Sequence, residues 1–210
     1  DIKDYINQIK INNAENDYRI IVKYKNGTFA TMRFNKGNAY VQKGLIAHLD
    51  GINNTGSGHS KETQTWKDLS GHGNDATLYN NPTWSNNSLT FNGIDDYGRL
   101  ENTANMTYEN GLTWELRLKV VSFTGRKANG SMNIFGNWET GGGGIFSVGD
   151  NSIMCNLYLN GDYVISDNSS LSQLQEYHTI VMTYDNNNIK QYIDGELVVT
   201  KESQSQYVPS

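Results

Sequence analysis

The chain has 210 residues, 36% hydrophobic and 11% aromatic, so it is long and apolar enough to bury the core of one sandwich-sized domain plus a smaller segment. Its 17 basic and 22 acidic residues give a net charge of −5, and the basic residues are scattered singly, so we expect no nucleic-acid-binding surface. No run of 18 apolar residues is present, so we expect no membrane insertion. The chain starts at Asp1 without a signal-peptide pattern, and we expect it to belong to a longer polypeptide.

The N-terminal part contains a periodic stretch, a hairpin signal and a polar connector. Apolar residues recur at helical spacing over 1–13, which predicts a short amphipathic helix or the tail of a preceding linker. Two apolar-rich runs then flank the Asn-Gly pair at 26–27, a pattern that predicts a β-hairpin over 18–34. A polar, glycine-containing connector follows. We therefore expect an N-terminal segment over 1–43 and a separate domain over 44–210.

From Leu45 onward, short strand-like runs alternate with turn signals about every eight to twelve residues, which is typical of a β-sandwich. The runs read LIAHL, ATLY, SLTF, YGRL, LTWELRLKVV, MNIFGNW, GIFSV, IMCNLYL, YVIS, HTIVMTY, IKQYI and ELVVT. Alternation is cleanest over 113–120, where apolar and charged residues point to opposite faces. The stretch 50–60 is predicted to be a long exposed loop. Cys155 lies in an alternating run, and we expect it to be buried as a small hydrophobe.

Five short motifs stand in the order and approximate spacing of a known family. They are GLIAHLDG (44–51), WKDLSGHGNDATL (66–78), LTFNGIDDYGRL (89–100), LTWELRL (112–118) and HTIVMTYDNNNIKQYIDGELV (178–198). On these motifs the region 44–210 resembles the laminin-G-like, concanavalin A-like lectin/glucanase domains of bacterial surface and phage proteins. The resemblance implies an all-β fold, a jelly roll of two antiparallel sheets, preceded here by the small hairpin segment. Such relatives usually continue with two more strands, so we expect the closing strands to lie beyond Ser210 or to come from the hairpin or another chain.

The glucanases of this architecture carry alternating carboxylates on one strand, so that an acid and a nucleophile face each other across about 5–5.5 Å. The comparable strand here, 113–121, holds Glu115 alone, followed by Arg117. Asp194 and Glu196 flank a glycine on an evident hairpin turn. The sequence has no G-x-S-x-G elbow, and its four histidines lack the paired spacing of a zinc site. We therefore predict that the domain is not an enzyme.

Oxygen-rich loops make calcium the metal to consider, because calcium takes six to eight oxygen ligands from carboxylates, amides and backbone carbonyls. The candidate ligands lie in two loops and are Asp68, Asn74, Asp95 and Asp96, with Ser70, Asp75 and Asn92 beside them. The resemblance implies the same possibility, since related domains often hold calcium at the rim of the sandwich. The alternative is that both stretches are plain turns, because Asp and Asn next to Gly bond their own backbone.

Sugar binding requires an aromatic plane beside amide and carboxylate groups that bind hydroxyls. Trp138 fits best, because Asn137 and Glu139 flank it and four glycines follow. Trp84 and Tyr158 are further candidates. The alternative is that the glycine run is a flexible hairpin tip with no ligand. Trp66 and Trp114 are predicted to lie in the core.

These observations predict a non-catalytic binding module for carbohydrate or adhesion within a larger bacterial surface protein or a phage or prophage tail protein. Its partners are then an extracellular glycan and other domains or subunits of the parent assembly, and its location is extracellular, on the cell surface or on a virion. Two alternatives remain open at this point. One is a structural domain that packs against other subunits without binding sugar, and the other is a glycan-active enzyme.

Overall fold

A computed structural model describes residues 6–14, 17–26, 29–35, 41–100, 111–121, 131–136, 143–148, 152–159, 162–165, 169–170 and 175–203. Across these ranges every regular element is a β-strand, and all strand pairs are antiparallel. The all-β prediction is therefore confirmed. In the part of the chain that the structure describes, no helix is long and apolar enough to cross a membrane.

The strands vary from two to nine residues in length. In chain order they are β1 (Ile6–Ala14), β2 (Asp17–Tyr24), β3 (Phe29–Asn35), β4 (Thr65–Trp66), β5 (Ala76–Tyr79), β6 (Thr83–Trp84), β7 (Leu89–Thr90), β8 (Tyr97–Leu100), β9 (Leu112–Leu118), β10 (Ser131–Gly136), β11 (Gly143–Val148), β12 (Ser152–Leu159), β13 (Asp162–Ile165), β14 (Ser169–Ser170), β15 (His178–Tyr184), β16 (Asn188–Ile193) and β17 (Glu196–Glu202).

The chain divides into two compact units. The first consists of residues 1–48 with 69–72, and the second consists of residues 49–68 with 73–210. The boundary that we place at Gly44 from the sequence stays a prediction.

The first unit contains a three-stranded sheet in the order β1-β2-β3. Strand β1 occupies residues for which we predicted a helix, so that prediction is wrong over 6–13. Isoleucine is β-branched and favours strands, and the backbone of β1 pairs along its length with β2, for example Ile9 with Val22. The hairpin predicted over 18–34 is confirmed, since β2 and β3 pair from Asp17 and Asn35 to the turn.

Two larger sheets of the second unit pack face to face and form the sandwich. One has the order β10-β11-β12-β13, with β14 also paired to β12, and the other has the order β17-β16-β15-β9. Residues from both sheets, together with Val120 just after β9, fill the core between them. The sheet residues are Ile145, Ile153, Cys155, Leu157, Leu159, Ile180, Met182, Tyr184, Ile189 and Ile193. The two-sheet antiparallel sandwich predicted from the sequence is therefore present.

Alternation along each strand places these residues. In β12 the odd positions from Ile153 to Leu159 are buried in the core, and in β9 Trp114 packs against it while Glu115 and Arg117 are exposed. Cys155 is fully buried, as predicted, and burial raises the pKa of its thiol to about 12. The thiol therefore stays protonated and packs as an apolar group.

Two small sheets complete the second unit, in the orders β4-β5-β8 and β6-β7. The prediction of a strand for LIAHL (45–49) is wrong. Within this stretch only Leu49 forms a β-bridge, and its partner is Asp68. The loop 50–60 is not uniformly exposed, because Asn54 is completely buried within it. The Asn54 amide donates to the Ser60 carbonyl at 2.8 Å and accepts from the Ser60 N–H at 2.9 Å, so one side chain takes the place of a strand partner.

Candidate functional site

The loop between β7 and β8 is organised by one amide. The Asn92 Oδ1 atom accepts hydrogen bonds from the backbone N–H groups of Ile94, Asp95 and Asp96 at 2.8 to 3.1 Å. Its Nδ2 donates to Asp95 Oδ1 at 2.8 Å, and its own N–H donates to Asp96 Oδ2 at 2.9 Å. This Asx-type bonding holds residues 92–96 in a local turn.

Two tyrosines stack where this loop enters β8. Tyr79 and Tyr97 are paired residues of β5 and β8, and their rings lie 4.7 Å apart between centroids with an interplanar angle of 11°. Tyr97 is 48% exposed. Asn80 follows Tyr79 in a left-handed conformation, and its Nδ2 donates to the carbonyl of Asp95, which ties the loop to the end of β5. Sequence reasoning missed this pair, although Tyr97 directly follows the two candidate metal ligands Asp95 and Asp96.

One carboxylate oxygen of the loop lacks a hydrogen bond. The Oδ1 atom of Asp96 is buried and has no hydrogen-bond partner among the described residues, whereas its Oδ2 accepts from the Asn92 N–H. A buried carboxylate oxygen without a donor is costly unless a cation or water binds it. Asp96 therefore fits a calcium ligand. Within the described ranges, however, no three His, Cys, Asp or Glu side chains are grouped as metal ligands.

The other candidate metal loop uses its oxygens internally. Asp68 and Asn74 are both buried, and Asp68 Oδ2 accepts from the Asn74 N–H at 3.0 Å. Asp75 Oδ1 accepts from the Asp68 N–H, and Asp75 Oδ2 pairs with Lys67 at 2.7 Å. Partial burial alone raises the pKa of Asp75, but these hydrogen bonds outweigh it and lower the pKa below its ordinary value. This bonding is that of the plain turn that we considered for this stretch.

Trp84 is a packing residue in this structure. It is only 5% exposed, its ring contacts Trp66 edge to face at 5.2 Å, and it also contacts His59 at 6.0 Å. Its indole N–H donates to the Thr63 carbonyl, and that of Trp66 donates to the Asp50 carbonyl. The Trp84 ring therefore presents no exposed face to a sugar in this conformation.

The remaining sugar-binding candidates lie elsewhere. Asn137, Trp138 and Glu139 lie outside the described residues, in the connection between β10 and β11. Tyr158 is partly buried in β12, and since its neighbours Leu157 and Leu159 face the core, Tyr158 belongs to the opposite face of that sheet. These four residues stay predictions.

The carboxylates considered for catalysis do not form a facing pair in the β9-β15 ladder. Glu115 is exposed on the outer face of β9, and the residue opposite it on β15 is Val181. Asp194 accepts from the Thr179 N–H and from His178 Nδ1 at the turn between β16 and β17. Both bonds lower the pKa of Asp194, and the bond from the Thr179 N–H has the larger effect. Asp194 therefore acts as a turn residue that holds the start of β15.

A family model described as the concanavalin A-like lectin/glucanases superfamily, of laminin G type, matches residues 91–210. This range contains the NGIDD loop, Tyr97 and both sheets of the sandwich. A search of curated proteins gives no significant match.

Comparison with solved structures gives matches at low sequence identity. The receptor binding domain of botulinum neurotoxin C/D mosaic serotype superposes with a TM-score of 0.54 at 16% identity, over 77% of this chain and 40% of that chain. Two Trypanosoma rangeli sialidase structures, a mutant displaying trans-sialidase activity and a complex with the inhibitor DANA, give TM-scores of 0.49 at 12% and 13% identity. They match over 96% of this chain and over 36% and 37% of their own. This chain therefore spans less than half the length of each, and the likeness to the first shows a shared fold alone.

Proposed function

Because the chain belongs to the concanavalin A-like lectin/glucanase superfamily, we propose that residues 44–210 form a non-catalytic module that binds a carbohydrate. The parent protein is then a bacterial surface or secreted protein or a phage or prophage tail protein, and the module acts outside the cell or on a virion. Its partners are a surface glycan and the neighbouring domains or subunits of that assembly.

The arrangement around Glu115 supports the non-catalytic assignment. A retaining glycosidase needs two carboxyl groups about 5–5.5 Å apart, and an inverting one needs them about 6.5–9.5 Å apart. On the outer face of β9, Glu115 is flanked by Thr113 and Arg117, and β15 places Val181 opposite it. Neither strand therefore supplies a second carboxylate next to Glu115.

A glycan array combined with a hydrolysis assay tests the proposal. We expect the 210-residue chain to bind at least one oligosaccharide and to release no sugar from it. An array that stays blank with and without calcium contradicts carbohydrate binding. Hydrolysis that is lost in Glu115→Gln but kept in Glu196→Gln contradicts the non-catalytic assignment and supports an enzyme.

We also propose that Asp96 anchors a calcium ion in the loop 91–97. The support is the buried, unpartnered Oδ1 atom of Asp96. A bound cation supplies the missing partner and orders the loop. Calcium then raises the melting temperature through preferential binding to the folded state, and this rise is lost in Asp96→Asn but kept in Asp185→Asn, whose carboxylate is already fully hydrogen bonded. An equal response of wild type and Asp96→Asn contradicts the assignment.

A second candidate function, packing against another subunit, is favoured by apolar side chains on β17. Leu197 and Val198 are exposed there, and Leu197 lies opposite Tyr192 on the outer face of the sheet. Exposed apolar groups next to one another mark interaction surfaces. If packing is the function, the amides of 196–199 exchange hydrogen more slowly in the longer parent protein than in the 210-residue chain.

A further inference from the structure

The stacked tyrosines form an aromatic surface that no earlier assignment uses. We propose that the exposed face of Tyr97 is the platform on which this module stacks a neutral pyranose ring, an inference that rests on the proposed carbohydrate binding. The two rings lie nearly parallel, at 11° and 4.7 Å, and Tyr97 is 48% exposed. Tyr79 thus packs against one face of the Tyr97 ring, and the other face of Tyr97 is open to solvent.

The sheet beneath the tyrosines fixes their orientation. Ala76 and Leu78 are buried, and alternation along β5 therefore directs Tyr79 to the outer face. Gly98 lies opposite Leu78, where an added Cβ atom would come within 3.3 Å of the Leu78 side chain. The inward face of the sheet is thus closely packed at this position. The stack of Tyr79 and Tyr97 is present without a ligand, so the platform is preformed. A preformed aromatic surface loses little side-chain entropy on binding.

Hydrogen-bond acceptors lie next to the platform. Asn80 and Asp95 are exposed, and each uses one side-chain atom to hold the loop: Asn80 Nδ2 and Asp95 Oδ1. Asn80 Oδ1 and Asp95 Oδ2 have no hydrogen-bond partner among the described residues, so they can accept bonds from sugar hydroxyls. An aromatic plane with a few fixed polar groups beside it is the usual composition of a small-molecule site.

The charge of the loop selects the class of sugar. Asp95 and Asp96 lie two and one residues before Tyr97. Their carboxylates repel a negatively charged ligand and so make its binding free energy less favourable. While the loop holds no cation, a carboxylated or sulfated saccharide is therefore disfavoured at this position. The ligand is a neutral pyranose with an apolar C–H face for Tyr97 and adjacent hydroxyls for the two acceptors.

The test compares variants on an array of neutral tetrasaccharides of glucose, mannose, galactose and N-acetylglucosamine, with 3′-sialyllactose and a heparin tetrasaccharide as acidic probes. We expect Tyr97→Ala to weaken binding of the neutral hit by about tenfold or more, as truncation of a central aromatic anchor does. Tyr97→Phe keeps the ring, so we expect its Kd to stay within about threefold of wild type, which corresponds to a loss of less than about 0.7 kcal/mol of binding free energy. Tyr177→Ala is the matched control, because Tyr177 is 44% exposed and lies directly before β15, a strand of a different sheet from β5 and β8.

The outcomes distinguish failure of the Tyr97 site from failure of carbohydrate binding as a whole. Wild-type binding that survives in Tyr97→Ala, with its melting temperature unchanged, overturns the Tyr97 site and leaves carbohydrate binding standing. In calcium-free buffer, stronger binding of the acidic probes than of the neutral ones, lost in Tyr97→Ala, overturns the assignment of a neutral sugar as the ligand. A wild-type chain that binds no probe overturns the proposed function, and the Tyr97 site with it.

Discussion

Two buried asparagines with opposite bonding allow a sharp test of what stabilises this sandwich. Asn156 in β12 is completely buried, yet within the part of the chain that the structure describes neither its Oδ1 nor its Nδ2 atom has a hydrogen-bond partner. Asn54 is equally buried, but both of its amide atoms are bonded to the Ser60 backbone. We expect Asn156→Leu to stabilise the protein and Asn54→Leu to destabilise it.

The magnitudes follow from the cost of a buried polar group. An unpaired amide costs about 1–3 kcal/mol in a protein interior, and leucine has nearly the same branched shape as asparagine. Asn156→Leu is therefore expected to add about 2 kcal/mol to the free energy of unfolding, or about 4–8 °C in melting temperature. Asn54→Leu removes two hydrogen bonds and leaves the N–H and carbonyl of Ser60 unpaired, so we expect a loss of about 2–4 kcal/mol.

Urea denaturation of the 210-residue chain, monitored by tryptophan fluorescence, measures the free energy of unfolding of each variant against wild type. Equal m-values in the three proteins would show that the unfolded states expose similar surface, so that the midpoints compare stability directly. Asn156→Ala is a further control, because it removes the amide but leaves a cavity and is expected to fall below Asn156→Leu. A loss of stability in Asn156→Leu comparable to that in Asn54→Leu would refute the reasoning, since it would mean that the Asn156 amide is satisfied in solution.

Three further predictions concern turns and the lone thiol. A hydrogen bond from the Asn188 N–H lowers the pKa of Asp185 to about 2. The ionised carboxylate therefore stabilises the fold at pH values above its ordinary pKa of 3.8, and this stabilisation is lost as the pH falls toward 2. In urea titrations, Asp185→Asn should lower the free energy of unfolding by less than about 1 kcal/mol at pH 7 and leave it unchanged near pH 2. Gly111 has φ +101 and an added Cβ atom would lie 2.7 Å from the Tyr184 carbonyl oxygen, so Gly111→Ala should cost about 2 kcal/mol or more, and an unchanged unfolding midpoint would contradict this. Cys155 should react with iodoacetamide at pH 8 only after unfolding, and labelling of the native protein would show that its burial is wrong.

Long strands could be predicted from the sequence because alternation over several residues is a strong signal. The runs that became β9, β12 and β15 each contain four or more apolar residues in register with a glycine- or asparagine-rich turn nearby. Strands β4 and β6 have only two residues each, too few to show any period, and neither was predicted. The N-terminal strand was missed because its isoleucines also fit a helical spacing, and only pairing with β2 decides between the two.

The candidate site could be predicted less well, because it depends on contacts between distant segments. Trp84 lies two residues after Pro82 among polar residues, a setting typical of an exposed side chain, yet Trp66 and His59 cover it. Tyr79 and Tyr97 are separated by a whole hairpin, and only the register of β5 with β8 places their rings together. The Asx turn around Asn92, in contrast, was visible in the sequence, since local hydrogen bonds need only neighbouring residues.

The stacked pair also affects the kinetics of recognition. Because Tyr79 and Tyr97 already stack in the free protein, a sugar that meets Tyr97 needs no rotation of the ring or closure of a loop. Association should therefore occur in a single phase whose rate rises linearly with sugar concentration. Different saccharides should then have similar association rates and differ chiefly in how long they stay bound.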